Sequence, residues 1–332
     1  MNPPDIVVLR QGTEGLSTAA YADELRERLP DHGIVHARTP HEEREYVADA
    51  RIATGIGLDG DLLSAAERLE LFAVASSGYE HLPLDALARA GVTVVNAAGI
   101  HAPGIADQVL GCCLMFARRL HEGLSRTRRA EWRHYQAREF TDSTVTVVGL
   151  GSIGRAVVDR LQGFQVDTIG VRYTPEKGGP TDEVIGFEEA AFHDALSRTD
   201  YLVLTTPLTD VTEGLVGEAE LATLEPHAVL VNVCRGGVVD TDALLGSLQK
   251  EDLRGAALDV TDPEPLPADH PLWRLENVLV TPHMGGHTPR HWERMADILA
   301  ENVERLDRGE DRDLLNRVSL PEADASPGDR ER

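Results

Sequence analysis

Apolar residues along this chain fall into short unbroken runs, separated by segments in which they recur at helical spacing. That is the pattern of strands buried on both faces with helices packed over them. From the amino end, DIVVLR at residues 5–10 predicts a strand, and residues 18–29 the helix that follows it. IVHARTP, ATGIG, LELFAVASSG and GVTVVNAAG predict further strands, with a helix near residues 61–68 between them. The alternation predicts a small parallel α/β domain ending near Ala98, without a phosphate-binding loop.

An amphipathic helix is predicted next, at about residues 105–119 and capped by the Pro103-Gly104 pair, and then a polar, basic, Trp-containing arm through Phe140. A second alternation opens at TVTVVGLGSIGRAVVDRLQGF. Its strands are predicted at residues 145–148, 168–172, 201–204, 228–232, 255–258 and 278–280. Six strands with intervening helices make a full dinucleotide-binding sheet, so the fold class is α/β with two parallel-sheet domains, Rossmann-like and flavodoxin-like. A closing helix at about residues 290–307 precedes PEADASPGDRER, whose composition predicts disorder.

The first strand of the second sheet runs directly into Gly149, Gly151 and Gly154, a G-x-G-x-x-G followed at once by a helical pattern that starts at Ser152 and Ile153. The first glycine permits the tight turn, the second lets backbone approach a pyrophosphate, and the third lets helix pack on strand. Dinucleotide binding follows. The residue that ends the second strand selects between NAD and NADP, and here it is Arg172, with Tyr173, Thr174 and Lys177 behind it. The nearest acid, Asp167, is at the other end of that strand, about 16 Å away at about 3.3 Å per residue. NADP is therefore expected in preference to NAD.

Three later strands end in chemistry. VLVNVCRGGVVD ends in Arg235, GAALDVTDPEPLP carries Asp259 at the strand end and Glu264 in a Pro-rigid loop, and NVLVTPHMGGHT ends at His283. Ligands of such sheets bind outside the carboxyl ends of the strands, so all three segments point to the rim that holds the cofactor. Reducing a 2-keto acid needs a hydride for the carbonyl carbon, a proton for its oxygen, and a cation for the carboxylate. Arg235 supplies the cation, His283 the proton, and Glu264 keeps the imidazolium charged and oriented.

Composition narrows the setting. The net charge is −24 over 332 residues, and Lys177 and Lys250 are the only lysines. That resembles proteins of salt-loving organisms, in which surface carboxylates hold water and counter-ions while salt screens their repulsion. Nucleic acid is not an expected partner of such a surface. No apolar run approaches the roughly 20 residues of a membrane span, and no signal sequence is read at the amino end, so a cytoplasmic protein is expected. Cys112, Cys113 and Cys234 form no disulfide framework, and no His or Cys cluster has metal-ligand spacing.

Taken in order, ASSGYEHLPLDAL, NAAGIHAPGIADQVLG, VVGLGSIGRAV, TTPLTDVTEGLV, LVNVCRGGVVDTDAL, GAALDVTDPEPLP and TPHMGGHT resemble the D-isomer-specific 2-hydroxyacid dehydrogenases over nearly the whole chain. The resemblance implies reduction of a small 2-keto acid, and the reverse, with Arg235, Glu264 and His283 as the catalytic set. It implies cofactor contacts at Thr206, Pro207, Thr212, Val233, Asp259 and His283, with Asp259 at the nicotinamide carboxamide, beside those read from the glycine turn and the end of the second strand at Gly149, Gly151, Ser152, Ile153, Gly154, Arg172, Tyr173 and Thr174. Substrate contacts are implied at Arg235 and at the backbone of Ser77, Gly78 and Tyr79. It further implies a discontinuous substrate domain (1–99 plus 289–318), a dinucleotide domain (100–288), an active site in the cleft between them and a homodimer, while composition leaves a disordered acidic tail at 319–332. Arg172 replaces the acid of many relatives, and Asp107 stands where glutamate is more usual. The Glu264 and His283 pair argues against formate dehydrogenases, and no appended regulatory domain of the phosphoglycerate dehydrogenase kind is expected. A non-enzymatic dinucleotide-sensing protein of the corepressor type is the alternative, since fold does not fix function.

Overall fold

The computed structural model describes residues 4–13 and 15–321, so the expected disordered tail lies outside the described residues from position 322 on. Within that tail, Leu320 still packs against an apolar cluster. Contacts divide the chain into two compact units, Met1–Ile100 with Thr288–Arg332, and His101–His287.

The first unit is built on β1 (Ile6–Val8), β2 (Ile34–His36), β3 (Ile52–Gly55), β4 (Leu71–Val74) and β5 (Thr93–Val95). They form one sheet in the order β2-β1-β3-β4-β5, with every pair parallel. β1, β3 and β4 are apolar or small at every position because both faces are covered. Over one face lie the helices Thr18–Arg28 and His291–Asp307, where Tyr21 stacks on Trp292 with ring centroids 4.6 Å apart. The last helix of the chain thus returns to the first sheet. Over the other face lie Pro40–Val47, Gly60–Ala65 and Leu84–Arg89. The first of these escapes a periodicity reading, because PHEEREYV buries only Glu43 and Val47.

The second unit holds seven parallel strands, one more than the apolar runs predict: β6 (Thr144–Val148), β7 (Asp167–Val171), β8 (Glu183–Ile185), β9 (Tyr201–Leu204), β10 (Val229–Asn232), β11 (Gly255–Leu258) and β12 (Val278–Val280). Their order is β12-β11-β10-β9-β6-β7-β8. The additional strand β8 is a three-residue edge strand, only half-buried, so it carries no strong apolar signal. The structure differs in two further places. The long helix spans Ala102–Ala117, so Pro103 and Gly104 belong to its first turn, where the fixed φ of proline is pre-organised for helix. The arm, for which the sequence predicts no element, contains a helix at Leu120–Arg128. Its order comes from a polar group: buried Arg126 donates to the carbonyls of Arg133 and His134 at 2.6 and 3.1 Å and lies over the ring of Tyr135.

Cys112, Cys113 and Cys234 are all free and buried in this unit. No helix among the described residues is long and apolar enough to cross a membrane.

Candidate active site

All strands of the second sheet run the same way, so their carboxyl ends share one rim. Chain order reverses between β6 and β9, which places a ligand crevice where those strands end. Gly149 follows β6 there with φ +101°, and a Cβ on it would sit 2.8 Å from Thr206 N. A Cβ on Gly154 would overlap the Gly149 carbonyl oxygen, whereas one on Gly151 would meet nothing within 4 Å. Two of the three glycines therefore let the turn close and one leaves room outside it. The Thr205 hydroxyl, at the end of β9, locks the turn by donating to Gly149 O at 2.7 Å.

A cavity of about 690 Å³ opens at this point, lined by Gly149, Gly151, Arg172, Tyr173, Thr174, Lys177, Thr206, Pro207 and Thr212 among others. Its volume and glycine-lined floor fit a dinucleotide. Arg172 follows β7 and donates from Nη1 to Gly178 O at 2.5 Å, so the guanidinium is fixed rather than loose in solvent. Ser152 and Ile153 open the helix Ser152–Leu161. Thr212 lines the cavity with its hydroxyl committed within the loop, donating to Pro207 O at 2.6 Å, whereas Val233 is buried and does not line the cavity.

Further along the rim, β10 leads to Arg235, whose backbone carbonyl accepts from Asn232 Nδ2 at 3.0 Å and whose Nη1 donates to Cys234 O at 2.6 Å. A Cβ at Gly236 would overlap the Thr261 carbonyl group, so this glycine lets the loop after β11 lie against the loop after β10. That loop carries Glu264. From the end of β12, His283 Nδ1 meets Glu264 Oε1 at 2.6 Å. His283 has φ +50°, a left-handed conformation rare for a residue with a side chain. Its N–H donates to Asp259 O at 2.8 Å and to Thr281 O at 3.0 Å.

Asp259 directly follows β11. Its buried carboxylate accepts from Gln108 Nε2, the Thr281 hydroxyl, Met284 N and Gly285 N. Burial alone would raise the carboxyl's pKa, but bonds from Thr281, Gln108, Gly285 and Met284 outweigh it and hold the value below the ordinary one. Asp259 is thus first a hub of the protein's own structure. Sequence reasoning missed Gln108, Thr281 and Asn232, although all three sit within the quoted motifs, because nothing in those motifs marks which distant groups they meet. Asp107 forms an ion pair with Arg160, a structural use of the position left without a reading.

In the first unit, the loop after β4 is braced by Asn96 Nδ2, which donates to Ser77 O at 2.7 Å, and by the Ser76 hydroxyl, which donates to Gly78 O at 2.7 Å. The Tyr79 N–H is already engaged, donating to Glu80 Oε2 at 2.9 Å.

Residues 110–285 match the family model described as D-isomer specific 2-hydroxyacid dehydrogenase, NAD binding domain. The chain belongs to that family. Among relatives, it is 33% identical over 293 residues to a glyoxylate/hydroxypyruvate reductase B of Pectobacterium carotovorum, covering 85% of this chain and 91% of that protein. It is 30% identical over 308 residues to the D-3-phosphoglycerate dehydrogenase of Methanocaldococcus jannaschii, covering 91% of this chain but only 58% of that longer protein. A solved D-isomer specific 2-hydroxyacid dehydrogenase from Xanthobacter autotrophicus, in complex with NADPH and MES, superposes with a TM-score of 0.76 at 27% identity over 95% of this chain and 98% of that one. The two parallel α/β sheets are the family's fold, and the chain is a 2-hydroxyacid oxidoreductase with a nicotinamide-binding domain.

Proposed function

We propose that the chain reduces a small 2-keto acid to the D-2-hydroxy acid, and catalyses the reverse, with His283 as acid/base, Glu264 as its partner and Arg235 as the ligand of the substrate carboxylate and carbonyl. The observation that carries this reading is the 2.6 Å bond between His283 Nδ1 and Glu264 Oε1, beyond strand ends that share a rim with the glycine turn. With Nδ1 committed to the carboxylate, Nε2 is the ring nitrogen that gives a proton to the keto oxygen, or takes one from the hydroxyl. Glu264 stabilises the imidazolium and fixes the ring plane. Arg235 spends one donor on Cys234 O and keeps others for the substrate. A bound reduced nicotinamide supplies the hydride. Ser77, Gly78 and Tyr79 are assigned to the substrate carboxylate by the same reading, the carboxylate exchanging with Glu80 at the Tyr79 N–H.

For the cofactor we favour NADP, with NAD as the second choice. Support comes from the cations and hydroxyls of Arg172, Tyr173, Thr174 and Lys177 at one end of the cavity, from Asp167 beginning β7 at its far end, and from the NADPH in the Xanthobacter relative. Exposed Leu120, Leu124 and Trp132 on the basic arm support a homodimer through that face. The charge of −24 supports work at high salt, and three buried thiols without a disulfide support a cytoplasmic setting.

The test is absorbance at the reduced nicotinamide band with glyoxylate, hydroxypyruvate, pyruvate and branched keto acids, each offered NADPH and NADH in molar salt. Oxidation of NADPH by one of them supports the reaction and ranks substrates, and Arg172→Asp should then shift preference toward NADH. Silence across the panel, from folded protein that binds NADPH, would favour a dinucleotide sensor.

A further inference from the structure

The turn that carries His283 is held from one side by a single helix face. His101, Gly104 and Gln108 recur at positions i, i+3 and i+7, a stripe along the start of Ala102–Ala117. The His101 ring bonds to Gly286 O at 2.7 Å. Gly104 lets the helix come close: a Cβ there would be 3.3 Å from Gly285 O. Gln108 reaches furthest, its Nε2 donating to Asp259 Oδ1 at 2.9 Å and to Thr281 Oγ1 at 3.0 Å. Asp259 then passes this fixed position to the turn, through its carboxylate to the N–H groups of Met284 and Gly285 at 3.0 and 2.8 Å, and through its carbonyl to His283 N at 2.8 Å.

We propose that Gln108 is a positioning residue of the acid/base site, holding Asp259 and Thr281 so that the turn keeps His283 in its left-handed conformation facing Glu264. The inference rests on His283 being the acid/base. Its physical basis is that a side-chain-bearing residue at φ +50° persists only where its surroundings over-determine it. Here most of the bonds that do so converge on Asp259, and Gln108 is the donor to its carboxylate that comes from outside the strand-end loops. An amide suits the position because it donates to Asp259 without charge. A carboxylate in its place would be repelled by Asp259 and would return as a donor only when protonated. The titratable groups facing this point are Asp259, Cys112 one turn along the same helix, His101, and the His283 and Glu264 pair.

The test compares Gln108→Ala and Gln108→Glu with the wild type, using the keto acid that the wild type turns over best. Gln108→Ala should lower kcat about 10-fold or more at every pH while the NADPH Kd stays within about 2-fold, because the lost bond is to a charged group and lies outside the cofactor cavity. Gln108→Glu should match that loss at pH 8 and recover toward wild type as pH falls to 5.5, its kcat ratio to wild type rising about 5-fold or more. A merely structural residue would lower thermal stability without this pH-dependent rescue. The His283 ring, followed by NMR of histidine-labelled protein, gives a readout independent of turnover, and its titration should shift in Gln108→Ala as the Glu264 contact loosens. An unchanged His283 titration with unchanged pH dependence of kcat in both variants overturns the proposal. If the wild type turns over no keto acid, the reaction assignment fails, and the His283 titration alone then decides whether Gln108 holds the turn.

Discussion

Replacing Gly151 and Gly154 singly by alanine separates room for a ligand from room for the fold. At Gly154 the new methyl would overlap the Gly149 carbonyl oxygen and lie 2.9 Å from Thr205 Oγ1 and 3.0 Å from Gly149 C, closer than ordinary van der Waals contact. The carbonyl cannot swing aside, because it is backbone of the turn and accepts from the Thr205 hydroxyl. Overpacking of this kind costs about 1–3 kcal/mol or more, and a backbone obstacle places it at the top of that range. Alanine regains about 1 kcal/mol of helix propensity over glycine, so a net loss of about 2 kcal/mol is expected. For a unit of this size that lowers Tm by about 4–8 °C. At Gly151 the methyl meets nothing, and φ −76° with ψ −162° suits any residue, so only the weaker cap is lost, about 0.5–1 kcal/mol. Its methyl instead occupies the space through which a pyrophosphate would approach the backbone. If the same about 1–3 kcal/mol of steric cost falls on the bound state alone, Kd for the dinucleotide weakens about 5- to 150-fold. Calorimetric melting and titration of NADPH and NADH measure both arms. A Gly151→Ala protein that binds dinucleotide like the wild type would refute the assignment of that space to the cofactor, and a Gly154→Ala protein that melts with the wild type would refute the packing argument.

Three other outcomes are expected. His283→Ala should reduce kcat about 100- to 10,000-fold with dinucleotide Kd unchanged, and stopped-flow turnover at the wild-type rate would remove His283 from the chemistry. Arg235→Ala should raise KM for the keto acid about 10- to 150-fold through loss of charge-assisted bonds, so normal substrate saturation would count against it. The pKa of Asp259, depressed in the folded chain, makes its carboxylate stabilising above the ordinary carboxyl value of about 4, and that contribution is lost as pH falls through the folded value. The Tm difference between wild type and Asp259→Asn should therefore narrow from pH 6 to pH 3, and a constant difference would show that the charge is not what the four donors hold.

The elements that carry the site were legible because each is a local pattern. The strands that end at Gly149, Arg235, Asp259 and His283 are apolar runs, and the glycine turn has its own spacing. What was not legible depends on distant partners or on weak burial. Strand β8 has three half-buried residues at an edge, and the helix Leu120–Arg128 is polar, ordered by Arg126 reaching carbonyls of the arm. Gln108 meets Asp259 and Thr281 across 151 and 173 positions of chain, a juxtaposition that no window of sequence contains. The same gap hides the partners of Asp259: its position at a strand end is local information, while the donors to its carboxylate come mostly from other segments.

The three buried cysteines turn the dinucleotide unit into its own reporter of opening. Burial pushes the thiols of Cys112 and Cys234 up to about 11 and that of Cys113 further still, so at pH 8 only about one in a thousand of the first two is the reactive thiolate. Alkylation must then wait for the unit to open, and its rate counts openings. The chain has no other cysteine, so the unit made of Met1–Ile100 and Thr288–Arg332 is silent in the same experiment. Labelling followed by mass spectrometry would thus read the stability of one unit without the other, and the slowing of that label by added NADPH or NADH would rank the two dinucleotides before any substrate is known.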